Sequence, residues 1–258
     1  MSASANLWQD NGDSASRLAY VERMLVITAS FLFWCLLIAM IERLILPKLG
    51  KNAMGNGPAA VIWHINRLYV HWFHRLKVSG SSVIPNEVEP GKIVVISNHQ
   101  SPVDPLLIQS QCKFKIRWLM ASEYMIPQFS FIWKLSETIP VDRDGQDSTA
   151  LRKALRHLGQ DGVIGLFPEG GIGDVREGVK PFVEGAAAMI AKTKARVLLA
   201  IVDGTPLQEG ITEALCERSY SKVHFVDCFS FPDSMNVEQI TSVLRTRIAE
   251  ETGWPLVD

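Results

Sequence analysis

Residues 92–104 read KIVVISNHQSPVD, and the fold follows from this stretch. Its first six residues form a short, continuous apolar run, too brief for a helix, and read as a buried strand. Ser101 followed by Pro102 predicts a helix start, with Ser at the N-cap and Pro at the first helical position. Asp104 then falls in the first turn, close to the loop that carries His99. The same pattern recurs along the chain. Apolar runs at 115–121, 138–142, 162–167, 196–202 and 222–229 read as strands. Residues 148–159, 183–194 and 237–251 read as helices, the last with Ile240, Val243, Leu244 and Ile248 on one face. Pro140 places the 138–142 strand at an edge or an irregular end. Strands alternating with helices predict an α/β fold, a mainly parallel sheet covered by helices.

The chain has 258 residues, 47% of them hydrophobic, which is ample for one sizeable α/β domain with an appendage. The formal net charge of -1 argues against nucleic acid as a partner, since such proteins carry a basic excess. The four cysteines, Cys35, Cys112, Cys216 and Cys228, are scattered and form no CxxC pair. They give neither a disulfide framework nor a zinc site and fit a reducing compartment.

The apolar surplus is concentrated near the N-terminus. Residues 24–41, MLVITASFLFWCLLIAMI, carry no charge. As a helix they span roughly 27 Å, close to the hydrocarbon thickness of a bilayer. Asp10, Asp13 and Glu22 precede the run and no small-residue cleavage pattern comes after it, so a cleaved signal peptide fits poorly. Residues 1–16, rich in Ser, Asn, Asp and Gly, read as a flexible tail. The apolar helix is expected to end near Pro47, before the breaker GKNAMGNGP at 50–58. A second helix is expected over 59–76. Ile62, Ile65, Tyr69, Trp72 and Leu76 would form its apolar stripe, opposite His64, Arg67, His71, His74 and Arg75. That arrangement suits either a helix in the headgroup region or one packed on the globular domain. Residues 17–77 are thus an N-terminal two-helix, membrane-associated segment, and 78–258 the α/β domain. Arg43, Lys48 and Lys51 after the first helix favour a cytoplasmic position for the remainder of the chain.

The ends of the expected strands carry the chemistry. Ligands of open α/β sheets bind beyond the carboxyl ends of strands, where His99 stands. A carboxylate from Asp104 on one imidazole nitrogen fixes the tautomer and leaves the other free to take a proton. Arg143 comes directly after the 138–142 strand, and a guanidinium suits a phosphate. Glu169, Gly170 and Gly171 come after the 162–167 strand, and glycine-turn N–H groups suit an anion or a developing oxyanion. Residues 202–206, VDGTP, close a further strand. His71 and His74 have no acidic or thiol complement for a metal site. Gly171-Ile172-Gly173 lacks the third glycine of a dinucleotide loop, Arg176 standing there.

Taken in order, these segments resemble the 1-acylglycerol-3-phosphate acyltransferase family, within the wider glycerolipid acyltransferases. The resemblance covers roughly 78–206. Asn98-His99-Gln100-Ser101 through Asp104 is its most specific part, supported by Asp142-Arg143, by Ile126-Pro127 with Phe129 and Trp133, and by Pro181-Phe182 with Gly185-Ala186. It implies a membrane O-acyltransferase with the active site facing the cytoplasm. Acyl-CoA or acyl carrier protein would supply the thioester as co-substrate, a membrane lipid would be the acceptor, and no metal or other cofactor is implied. By the same resemblance His99 is the general base, Asp104 its orienter, Arg143 a ligand of the acceptor phosphate and Glu169 part of the acceptor site. One motif departs. The family's Phe-Pro-Glu-Gly-Thr-Arg reads Phe-Pro-Glu-Gly-Gly-Ile here, with Gly171 for Thr and Ile172 for Arg. Arg176 and Lys180 are the cations placed to reach back across that pliable loop. The departure keeps open a different lysolipid or polyol acceptor, and a non-catalytic lipid-binding protein is the alternative outside enzymology.

Overall fold

A computed structural model describes residues 6–142, 148–172, 177–208 and 210–257, leaving aside the side chains of 6–21 and of Ser148. The chain divides into two compact units, 1–48 and 49–258. The helices are α1 Asn6–Met40, α2 Leu46–Asn52, α3 Gly57–Trp72, α4 Asp104–Gln109, α5 Ser130–Ser136, α6 Ser148–Leu158, α7 Gly185–Thr193, α8 Ile211–Cys216 and α9 Val237–Thr252. The strands are β1 Lys77–Ser79, β2 Ile93–Ser97, β3 Ile116–Ala121, β4 Ile139–Val141, β5 Val163–Leu166, β6 Arg196–Asp203 and β7 Lys222–Phe229.

Helical backbone begins at Asn6, inside the stretch whose composition reads as a loose tail. It does not stop at Pro47. A π-helical turn, Ile41–Ile45, sits immediately ahead, with Leu46 N–H bonded to the Ile41 carbonyl. Proline has no N–H and crowds the carbonyl four residues back, and a widened turn relieves that conflict without ending the helix. Residues 22–52 therefore form a 31-residue helix long and apolar enough to cross a membrane, its most apolar window averaging a hydropathy of 2.6 with none of it buried. The breaker is present as expected, with Met54 and Gly55 at positive φ. Asn56 then caps α3 by accepting from Ala59 N–H at 2.8 Å, with Pro58 in the first turn.

The second unit carries a seven-stranded sheet in the order β1-β7-β6-β2-β5-β3-β4. All pairs are parallel except β6 with β7. Pro140 lies in β4, which is an edge strand, as its missing N–H requires. Central β2 is buried at every residue, IVVIS. Val94 and Ile96 point to a core built with α6, α7 and α9. Ile93 and Val95 point to a core built with α3, α4 and α8. A run apolar on both faces is what a strand covered on both sides needs.

α3 differs from its expected pattern. It buries its small residues Gly57, Ala59 and Ala60 together with Trp63 and Val70. Val61, Ile65, Leu68 and Trp72 face outward, Trp72 at 75% exposure. Small residues let the helix sit close to the domain, so the bulky ones are turned away. His74 is not on a basic face. It is fully buried, with Nδ1 2.8 Å from Ser219 Oγ and Nε2 2.9 Å from Tyr69 OH. Tyr69 OH donates to the Leu215 carbonyl at 2.6 Å, so it accepts from Nε2–H, and Nδ1 accepts from Ser219. Burial lowers the His74 pKa to about 4.

A histidine held neutral in the fold and free to charge when unfolded draws protons to the unfolded state, so stability falls as pH drops from about 6.5 towards 4. Urea unfolding of wild type and His74→Gln at pH 7 and pH 5 checks this. The wild type should lose more between the two pH values than the variant does.

Candidate active site

The site lies where the connections diverge. β2 hands the chain to α4 on one face of the sheet, while its neighbour β5 hands it to α7 on the other. Loops leaving adjacent strands in opposite directions open a crevice beyond their carboxyl ends. The β2–β5 register pairs Ile96 with Leu166, and three residues further on it brings His99 beside Glu169.

Each residue of the loop after β2 is anchored. Asn98 is buried, and its side chain takes both backbone groups of Val202, donating to the carbonyl and accepting from the N–H, each at 2.9 Å. The amide thus prolongs the β2–β6 pairing by one residue with side-chain atoms. His99 N–H donates to Glu169 Oε1 at 3.0 Å. Gln100 N–H and Ser101 N–H donate to Asp104 Oδ2 at 2.7 and 2.9 Å. His99 Nδ1 donates to the same oxygen at 2.9 Å. The helix start differs from expectation here. α4 begins at Asp104, and Ser101 Oγ is buried without capping anything. A carboxylate outcompetes a hydroxyl for N–H donors because its bonds are charge-assisted.

The other imidazole nitrogen, Nε2, bonds to no described residue. One face of the ring stacks on Phe167, with centroids 3.9 Å apart and planes 10° apart. Phe167 in turn stacks on Trp118 at 5.2 Å and 12°. Asp104 on one edge and Phe167 on one face leave the ring little freedom. Arranged so, His99 can take a proton at Nε2 and share the resulting charge with Asp104.

Glu169 is mostly buried, and that burial raises its pKa; N–H bonds from His99 and Lys180, with their positive charge, work the other way. Its carboxylate therefore braces the backbone at His99, and Lys180 lies beside it. Gly170 sits at φ +76°, left-handed backbone that favours glycine, and its N–H closes the turn on the Phe167 carbonyl at 3.1 Å. The N–H groups of Gly171 and Ile172 have no partner among the described residues and are free to meet an oxyanion.

His99, Asp104, Glu169, Gly170, Gly171 and Lys180 are thus grouped by two adjacent strand ends and the segment beyond them. Arg143 and Arg176 lie outside the described residues. Asp203, at the third strand end, turns away and pairs with Lys222 at 2.9 Å. Two anchors escaped sequence reasoning. Asn98 stood in the motif without a role, and Phe167 read as the end of an apolar strand. Alternation along β3 and β5 could have shown that Trp118 and Phe167 share a face.

Residues 75–203 match the sequence profile of the Acyltransferase family, half of the chain. No curated protein matches the sequence. Among solved structures, the chain resembles the crystal structure of PlsC, the 1-acyl-sn-glycerophosphate (LPA) acyltransferase from Thermotoga maritima. The TM-score is 0.60 at 20% identity, over 76% of this chain and 78% of that one. At this identity the likeness concerns the fold.

Removing the Asp104 carboxylate leaves three donors unpaired, each at about 1–3 kcal/mol when buried. Asp104→Ala should lose roughly 3 kcal/mol or more of stability, and Asp104→Asn, with one oxygen still able to accept, clearly less. Equal losses in urea unfolding would contradict this division of labour.

Proposed function

The chain belongs to the Acyltransferase family, and from that premise we propose that it moves a fatty acyl group from a thioester to the hydroxyl of a lysophosphatidate-type acceptor, with His99 as general base. The observation that carries this reading is the Nδ1–Asp104 bond with Nε2 left open. His99 Nε2 takes the hydroxyl proton as the acceptor oxygen attacks the thioester carbonyl. The oxyanion gathers on the N–H groups of Gly171 and Ile172, since those of His99, Gln100 and Ser101 are already bonded. Collapse expels the thiolate, and the imidazolium returns the proton to it. The donor is acyl-CoA or acyl carrier protein.

Arg143, Arg176 and Lys180 are the acceptor's phosphate ligands in this reading, with Lys180 carrying the charge that Ile172 cannot supply. Membrane association rests on the apolar helix at 22–52 and on the outward stripe Val61, Ile65, Leu68 and Trp72, flanked by Arg67 and His71. Apolar side chains beside basic ones are suited to the headgroup boundary. The active site then faces the cytoplasm, by the cationic residues after the first helix.

Mass spectrometry of products from one acyl thioester and a panel of lysolipids tests the reaction. His99→Ala should fold normally and lose ~10²–10⁴-fold in turnover. Wild-type rates in that variant would overturn the mechanism. Lys180→Ala should raise KM for phosphate-bearing acceptors ~10-fold or more, the worth of one charged contact, with KM for the thioester unchanged. Leu68→Ser with Trp72→Ser should slow transfer to vesicle-borne acceptor and spare transfer to a soluble short-chain one.

A further inference from the structure

At the β4 edge of the sheet lies a cavity of about 380 Å³ that none of the residues placed around His99 lines. Arg117 near the start of β3, Lys134 on α5, and Lys153, Arg156 and His157 on α6 line it, with Trp133. Arg117 is level with Ile164 of β5, while Ile139 and Pro140 of β4 are level with Leu119 and Met120, so the cavity runs along the β4 edge of the sheet. The Arg117 side chain also points to the sheet face opposite Trp118, because neighbours on a strand alternate. The cavity therefore opens on the sheet face that carries α6, opposite the face on which His99 stacks against Phe167.

Its charge is lopsided. Among the described residues Glu137 is the only acidic one in the lining, and it pairs with both Lys115 and Arg117. Lys134, Lys153 and Arg156 pair with no carboxylate among the described residues. Lys153, Arg156, His157 and Gln160 recur at three- and four-residue spacing, so α6 turns one face to the cavity. Arg117 Nε is buried with no partner among the described residues. Burial lowers the Arg117 pKa, and burial together with Arg117 lowers that of Lys115. Burial, then Arg117 and Lys115, lowers His157 to about 4, so its ring is neutral. Cations so crowded, in a chain of net charge -1, are relieved by a bound anion.

The rim identifies the kind of anion. Phe131, one helical turn from Lys134 on α5, is 66% exposed, and Ile132 beside it is also exposed. Two outward apolar side chains next to a basic hollow match a bilayer surface, with acyl chains under the apolar pair and a phosphate in the hollow.

We propose that this cavity binds the phosphomonoester headgroup of an anionic phospholipid while Phe131 and Ile132 dip into the same leaflet. The proposal rests on the membrane association inferred above and not on the chemistry at His99. A phosphomonoester carries up to two charges near neutral pH, matching a hollow where Lys134, Lys153 and Arg156 have no carboxylate partner among the described residues.

Hydrogen–deuterium exchange of the full chain in nanodiscs tests it. Discs of phosphatidylcholine alone are compared with discs containing phosphatidic acid, and with neutral discs plus soluble glycerol 3-phosphate. Segments 131–137 and 150–160 should exchange ~10-fold more slowly with phosphatidic acid present, the factor expected at about ten times Kd. Lys153→Gln with Arg156→Gln should abolish the slowing, with far-UV circular dichroism confirming the fold. Phe131→Ser should reduce it. Equal slowing by glycerol 3-phosphate would overturn the lipid as the source. No slowing in a chain that co-purifies with discs would overturn the site while leaving membrane association intact. Failure to co-purify would overturn both.

Discussion

The site depends on one buried carboxylate oxygen. Asp104 Oδ2 collects the imidazole N–H of His99 and the backbone N–H groups of Gln100 and Ser101. A buried anion demands such donors, and here the demand shapes the chain. The backbone after β2 must curl so that two successive amides face the start of α4. That curl sets where α4 begins and where the imidazole hangs. The same bond fixes the protonated nitrogen as Nδ1, which leaves Nε2 as the basic one.

The neighbouring anchors work the same way. Asn98 is tied to Val202 on β6, and His99 N–H to Glu169 beyond β5. The loop is thus fastened to both strands that flank β2 as well as to its own helix. Positioning of this kind is obtained before substrate arrives, so little reorganisation is left for the reaction. It also separates roles along the turn. Amides spent on Asp104 and Glu169 are not available to an oxyanion, which in the proposed reaction leaves that task to the glycine turn after β5.

Much of this was legible in the sequence. Runs rich in apolar residues marked β2, β3, β5, β6 and β7 to within a residue or two, uninterrupted in β2 and β5, which are buried on both faces, and broken by polar residues in the less buried β3 and β7. Pro140 correctly marked an edge. His99 and Asp104 were found by spacing and by their place at a strand end. What escaped was set by tertiary context. The three-residue β1 has no pattern of its own and exists through pairing with β7. β7 looks like any other strand, so its antiparallel direction was hidden. On α3, apolar periodicity gave Ile65 and Trp72 as the apolar stripe without deciding whether it packs or faces outward, and close approach buried Gly57, Ala59 and Ala60 instead. His74 sat among basic residues in sequence but faces Ser219, 145 residues away. Pro47 signalled a helix end, and a π-turn absorbed it.

The substituted third motif also reads differently once Glu169 is seen in place. Its carboxylate is buried and directed at the backbone of His99 and Lys180. A residue used this way fixes the backbone at His99 whatever the acceptor is. By the family resemblance, an Arg at position 172 would meet the phosphate of the acceptor. The two halves of the motif therefore answer to different constraints, and one can change without the other. Phe167, Glu169 and Gly170 hold His99 and are retained here. Gly171 and Ile172 bond to neither His99 nor Asp104 among the described residues, so a change there leaves the imidazole in position. In the proposed reading, a chain that keeps the first group and varies the second keeps the means of acyl transfer, and Lys180 supplies the charge at the acceptor that Ile172 lacks.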